Sequence, residues 1–210
     1  MTIKVNHNEI PGAILEAKRW CRKQVREAQK GLTDAYMTEA SEAIREQLMR
    51  MDEYRKAKVI MLYVNVGKEV VTRSLMDVAH RAGKTVCLPL CYDTEEHLMD
   101  ARLWNGEYKL VTGAYGIPEP SSQAPVIAPS EIDMVILPCM SCDAECNRLG
   151  HGAGYYDRYL AQLRDDCTTV ALCYDKILVE HVPTEEHDKQ VNAVITEKRI
   201  YKGDRPLSQG

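Results

Sequence analysis

Residues 133–138 read DMVILP, and CMSCDAECNRLGHGAGYYDRYL follows at 139–160. The first stretch is a continuous apolar run of strand length, the mark of a strand covered on both faces. The second carries alternating glycines at Gly150, Gly152 and Gly154 and opens into a helical pattern over 155–164. An apolar strand that passes through a glycine loop into a helix is a unit of a parallel sheet. Similar apolar runs stand at VIMLYV (59–64), TVCLPL (85–90), TVALCY (169–174) and NAVIT (192–196), with a weaker strand over 98–104.

Helical stripes separate these runs. Ile14, Ala17, Cys21, Val25 and Ala28 recur at three- and four-residue spacing, which predicts a helix over 12–29 stopped by Gly31. Thr33 or Asp34 can cap a second helix with Met37, Ala40, Ile44, Leu48 and Met51 inward. Thr72 can cap a third, with Leu75, Val78, Ala79 and Ala82 inward and Gly83 closing it. The prolines between Gly113 and Ser130 read as a surface loop. The fold class is α/β with a parallel or mostly parallel sheet covered by helices. The expected organisation is one domain over 1–198 and a polar tail over 199–210 that frays. Ligands of such sheets sit beyond the carboxyl ends of the strands, so 65–69, 89–93, 138–157 and 174–188 are the segments to watch.

Composition narrows the class. The chain has 210 residues, 45% hydrophobic and 28% charged, close to a globular average. Disordered and collagen-like classes are excluded. No apolar stretch is long enough for a membrane helix, and the first twenty residues show no secretory pattern. A formal net charge of −4 speaks against a nucleic-acid binder. These readings give a cytoplasmic chain, expected to be monomeric, with a small-molecule partner and neither nucleic acid nor membrane. The eight cysteines are then expected as thiols. The spacing Cys139-x2-Cys142-x3-Cys146 is the one metal-like run. It lacks the second pair or following His of a structural zinc site, so the thiol reading leads and metal is the lesser alternative.

Chemistry concentrates at 148–157. Alternating glycines let backbone N–H groups point into one concavity that suits phosphate oxygens, and the helix start at Tyr155 adds its positive end. Arg148 can present a bidentate guanidinium, and Asp157 can face a cation. The spacing matches neither the dinucleotide fingerprint nor a Walker loop. Arg, glycines and a carboxylate are the parts a nucleoside triphosphate with Mg²⁺ requires. On the first helix Lys18, Arg22 and Arg26 form one ridge at four-residue spacing, either a solvated face or a phosphate clamp. Glu69 and Asp188 follow strands. His151, His181 and His187 fit no triad or metal spacing.

The blocks AKRWCR, VGKEVVT, GIPEP, RLGHGAGYYDRYL and HVPTEEHD with the later VITE occur in the order seen in the 5-formyltetrahydrofolate cyclo-ligases. The chain resembles that family from about Lys18 to Glu197. The resemblance implies a three-layer α/β sandwich, similar to the sugar-phosphate isomerase and CoA-transferase group. It implies ATP- and Mg²⁺-dependent cyclisation of 5-formyltetrahydrofolate to 5,10-methenyltetrahydrofolate, with release of ADP and phosphate. It assigns ATP contacts to Lys18, Arg22 and the loop Arg148, Leu149, Gly150, His151, Gly152, Ala153, Gly154, Tyr155 and Tyr156. It gives metal to Asp157 and Asp188, and folate to Glu69, Tyr115, His151, Gly152, Ala153, Gly154 and Tyr155. The catalytic roles fall to Lys18, Arg148 and Asp157. Four positions depart from the family pattern: Cys142 for Phe, Cys146 for Gly, Ala153 for Gly or Lys, and Asn192 for Asp. Ala153 is tolerable only at negative φ, and Asn192 removes a charge expected near Asp188. The alternatives are a phosphosugar isomerase or CoA-transferase-like enzyme, and a non-catalytic folate- or nucleotide-binding protein.

Overall fold

The apolar runs form the middle of one sheet in the computed structural model, which describes residue 3 and residues 14–106, 109–185 and 188–204. The strands in chain order are β1 (Val59–Met61), β2 (Thr85–Asp93), β3 (Leu98–Trp104), β4 (Val111–Thr112), β5 (Pro118–Glu119), β6 (Val126–Ile127), β7 (Met134–Leu137), β8 (Ser141–Cys142), β9 (Arg148–Leu149), β10 (Thr168–Leu172), β11 (Ala193–Ile195) and β12 (Ile200–Lys202). Eight of them make a sheet of order β12-β11-β10-β7-β1-β2-β3-β6. The five from β11 to β2 are parallel, and β12, β3 and β6 join antiparallel at the two sides. Every residue of β7 and β10 is buried, as strands covered on both faces require. The helices flanking the sheet are α1 (Ile14–Gln29), α2 (Asp34–Arg50), α3 (Asp52–Lys56), α4 (Arg73–Arg81) and α5 (Tyr155–Leu160).

The predicted stripes are the buried faces. Ala17, Cys21 and Val25 of α1, and Met37, Ala40, Ile44 and Leu48 of α2, point inward. Thr33 caps α2 by accepting from the Tyr36 amide at 3.2 Å. At the amino ends of the strands, Asp133 ties β1 to β7. Its Oδ2 accepts from the amides of Lys58 (2.7 Å) and Val59 (2.9 Å), and its Oδ1 from Arg164 (2.6 Å).

Several expectations change. Thr72 precedes α4, but its hydroxyl donates to the Tyr63 carbonyl instead of capping the helix, and Met76 takes the inward place given to Ala82. The helix over 155–164 ends at Leu160, because Gln162 N turns back to the Tyr159 carbonyl at 3.0 Å. Within the supposed loop 113–130, Val126–Ile127 pairs with β3 as the outermost strand. The tail expected from 199 begins later, since Ile200–Lys202 pairs with β11. Residues 205–210 of that tail and the first two residues of helix 12–29 lie outside the described residues.

Candidate active site

A cavity of about 480 Å³ opens where β1, β2 and β7 end. Three of the four watched segments line it: Val66 and Glu69, Pro89 and Cys91, and Pro138 with Arg148 and His151 to Asp157. The segment 174–188 does not. In its place Tyr115 to Glu119 form the remaining wall. Most of the lining is apolar (Tyr63, Val64, Met99, Ile117, Tyr155 and Tyr156), with a few polar groups set into it. That is the make-up of a pocket for a small organic ligand oriented by a few polar groups.

The glycine loop is shaped by the arginines it seats. A Cβ on Gly150 would lie 2.9 Å from Arg148 Nη1, and one on Gly154 would lie 2.5 Å from Arg158 Nη1. A Cβ on Gly152 would lie 3.3 Å from the Arg22 guanidinium, and its φ is +106°. Each of the three glycines leaves room for a guanidinium against the backbone. Arg22 Nε donates to the Gly150 carbonyl at 2.8 Å, and Arg158 Nη1 to the Ala153 carbonyl at 3.2 Å. Arg148, only 7% exposed, donates to Asp157 at 2.6 Å and to the Pro138 carbonyl at 3.3 Å. Burial lowers the Arg22 proton affinity, and neighbouring Arg26 lowers it further, which is the electrostatics of a site that favours an anion. Arg26 itself is exposed, so the basic ridge of α1 divides: Arg22 reaches the loop and Arg26 faces water.

Across the cavity Glu69 is buried. Its Oε2 accepts from the Val66 amide and its Oε1 lies 2.8 Å from His151 Nε2, so the loop and the turn after β1 are tied together. Tyr115 stands exposed in the left-handed region (φ 59°), with its hydroxyl 3.2 Å from that of Tyr155. Burial, then the bond to Tyr115, pushes the Tyr155 phenol up and keeps it neutral. Glu119, from the GIPEP block, lies buried in the wall, and its Oε2 accepts from the Cys91 amide at 3.4 Å. Burial, followed by the Glu119 charge, pushes the Cys91 thiol up to about 12.

The expected residues divide into two groups. Glu69, Tyr115, Arg148, His151, Gly152, Ala153, Gly154, Tyr155, Tyr156 and Asp157 share the cavity. Lys18 and Asp188 form a second corner, bonded to each other at 2.6 Å across 170 residues of chain, with Glu185 at 2.8 Å from the same ammonium. Burial pulls the Lys18 proton affinity down, but the bonds to Asp188 and Glu185 outweigh it and hold it above its ordinary value. Leu149 is placed differently from expectation. Its side chain is buried with Cys21, Val25 and Met140, and its carbonyl accepts from the Met140 amide at 2.8 Å. It anchors the loop to α1.

The metal assignment meets a mixed geometry. Asp157 and Asp188 are oxygen donors, 52% and 26% exposed, of the kind Mg²⁺ takes together with phosphate and water oxygens. Each is held by a cation, Arg148 or Lys18. Among the described residues, neither belongs to a cluster of three or more metal-ligating groups. Each carboxylate is a donor suited to a phosphate-bound cation, Asp157 in the cavity and Asp188 beside Lys18, and neither fits an all-protein cage.

Three of the four departures are accommodated. Ala153 is not in the left-handed region, so its methyl costs nothing there. Cys146 is, at φ 65°, which accounts for the usual glycine. Asn192 lies away from the expected role near Asp188: its Oδ1 accepts from the Thr169 amide (2.7 Å) and hydroxyl (2.8 Å) inside the sheet. Arg158 and Glu119 were missed by sequence reading. Arg158 reads as a helix surface residue and Glu119 as part of a proline loop. The glycine before α5 was the available signal for the first.

Comparison with known proteins gives one answer. The sequence model of the 5-formyltetrahydrofolate cyclo-ligase family matches residues 14–197. The probable 5-formyltetrahydrofolate cyclo-ligase of Schizosaccharomyces pombe is 29% identical over 186 residues, covering 81% of this chain and 90% of that protein. The 5-formyltetrahydrofolate cyclo-ligase of Mycolicibacterium smegmatis is 31% identical over 146 residues, covering 68% of this chain and 75% of that protein. The solution structure of Aquifex aeolicus 5,10-methenyltetrahydrofolate synthetase superposes with a TM-score of 0.79 at 27% identity, covering 92% of this chain and 94% of that one.

Proposed function

Because the chain belongs to the 5-formyltetrahydrofolate cyclo-ligase family and converts 5-formyltetrahydrofolate into 5,10-methenyltetrahydrofolate, we propose a division of labour among its residues. ATP phosphates lie against the loop 150–155, and the folate ring fills the apolar cavity beside it. The observation that carries this reading is the seating of Arg22, Arg148 and Arg158 on three successive loop glycines, with Arg148, Gly152 and Gly154 lining the cavity.

The formamide carbon is a poor electrophile, because its oxygen would have to leave as hydroxide. Attack of the formyl oxygen on the γ-phosphorus of ATP breaks the bond to the β-phosphate oxygen and releases ADP. The carbon now bears a phosphate. N10 attacks that carbon and loses its proton. Phosphate then departs with its C–O electron pair, leaving the methenyl cation. Phosphoryl transfer needs charge neutralisation and alignment more than covalent help. Arg148 neutralises transferring oxygens from its buried seat, Arg22 and Arg158 hold the chain, and loop amides complete the cradle. Lys18 adds a cation by exchanging a carboxylate partner for a phosphate. Asp157 and Asp188 would hold Mg²⁺, which supplies further charge neutralisation when bound. Glu69 orients the folate together with His151, and Tyr115 and Tyr155 flank the ring.

No described helix is long and apolar enough to cross a membrane. The eight cysteines are free thiols, which supports a reducing compartment such as the cytoplasm. The test is an absorbance assay for methenyltetrahydrofolate. Product should form only with ATP, and Mg²⁺ should raise the rate. Product without ATP, or none with both, contradicts the reading.

A further inference from the structure

Three sulfurs meet behind the cavity. Cys139 follows β7 by two residues and Cys173 follows β10 directly. β7 and β10 are parallel neighbours with Leu137 opposite Ala171, and continuing that register sets Cys139 beside Cys173. The ribbon of β8 and β9 then folds Cys142 over both. The three Sγ atoms all lie within 4.8 Å of one another, and Cys142 Sγ is 3.5 Å from Cys139 Sγ. All three residues are buried, between 0% and 4% exposed. The mechanism uses none of them.

We infer that Cys139, Cys142 and Cys173 form a binding site for a soft, thiolate-seeking ion that takes three sulfur ligands. A trigonal array with bonds of about 2.3 Å separates its sulfurs by about 4 Å, within the span already present. The site needs side-chain adjustment and no change of backbone register. Thiolate ligands select soft ions over magnesium or calcium. Zinc is disfavoured, because it takes four ligands in closed sites and no fourth His, Cys, Asp or Glu among the described residues joins the cluster. Two ions share the required chemistry. Cu(I) would displace three thiol protons and leave a net charge of −2 on the complex. Arg148, bonded to the Pro138 carbonyl next to Cys139, stands near to offset part of it. Arsenite, As(OH)₃, would condense with three thiols, form three As–S bonds and release three waters, leaving a neutral group suited to a dry interior. Cys142 also pairs across the ribbon with Arg148, so an ion here abuts the nucleotide wall without occupying it.

The test uses the full-length chain, titrated separately with Cu(I) under a competing chelator and with arsenite, and X-ray absorption at the Cu and As edges. The expected result is one ion per chain with three sulfur neighbours. Cys142→Ser and Cys173→Ser should each weaken binding by more than about tenfold, as loss of even an outer-shell partner does, while Cys91→Ser leaves it unchanged. The ion that gives three-sulfur binding identifies the source. A two-sulfur or nitrogen–oxygen environment in the wild-type chain for both ions overturns the inference whether or not the variants fold. So does equal affinity in folded Cys142→Ser, or tighter binding of Zn²⁺ with four ligands.

Discussion

Replacing Gly152 by Ala puts a single methyl where the account needs a guanidinium. The residue sits at φ +106°, a conformation that costs an L side chain about 1–2 kcal/mol. The new Cβ would stand 3.3 Å from Cζ and Nη2 of Arg22, so one of them must yield by a few tenths of an ångström. Arg22 has little freedom, because its Nε already holds the Gly150 carbonyl at 2.8 Å. The loop therefore moves, and its amides lose their aim at the phosphates. A total of about 2 kcal/mol, withdrawn from transition-state binding, lowers kcat/KM for ATP roughly 30-fold. Gly152 is exposed, so the unfolding free energy should fall by no more than about 1 kcal/mol. Steady-state rates of methenyltetrahydrofolate formation against ATP concentration measure the first effect, and urea unfolding the second. Ala153→Gly is the control: that residue is not at positive φ, and its kcat/KM should stay within about twofold. Unchanged kcat/KM for ATP in folded Gly152→Ala refutes the reasoning, because the loop would then not carry the phosphates.

Asp157→Asn should leave the chain folded and lower kcat about 100-fold, with the Mg²⁺ concentration for half-maximal rate raised; a Mg²⁺ titration of turnover reads this. Lys18→Met should raise the KM for ATP about tenfold, as loss of one charge-assisted contact does. It should also flatten the alkaline limb of stability. The Lys18 proton affinity is raised, so its pairing counts in full below its ordinary value of 10.5 and is lost as pH rises through the higher folded value. Asp133→Asn should cost about 2 kcal/mol in urea unfolding at neutral pH and much less near pH 2. Burial pushes that carboxyl up, but the Val59 and Lys58 amides and Arg164 hold it below 3.8 overall. Its contribution is therefore present above 3.8 and lost as pH falls through the lower folded value.

Legibility followed the length of each signal. The buried stripe of α2 and the fully apolar β7 and β10 show in the sequence, because burial imposes period or continuity over many residues. β5 and β6 are two residues long and flanked by prolines, so no period exists to be read, and Glu119 went unnoticed with them. The glycine loop and Arg148 were visible because close backbone approach restricts residue type. Arg158 was not, since its role depends on Gly154 at φ +79° turning the chain beneath it. The pairing of Lys18 with Asp188 spans the whole domain, and only the folded chain brings those charges together. Cys139 and Cys173 were expected as separate thiols, because their adjacency follows from strand register and not from spacing.

The central claim is that ATP phosphates rest on the loop between Gly150 and Tyr155. A structure of the chain with a non-hydrolysable ATP analogue and 5-formyltetrahydrofolate tests it most directly. The account predicts phosphate oxygens within hydrogen-bond distance of the loop amides and of Arg148, with the formyl oxygen facing the terminal phosphorus. Phosphates bound elsewhere, or a loop still closed by its own arginines with nucleotide present, would contradict it.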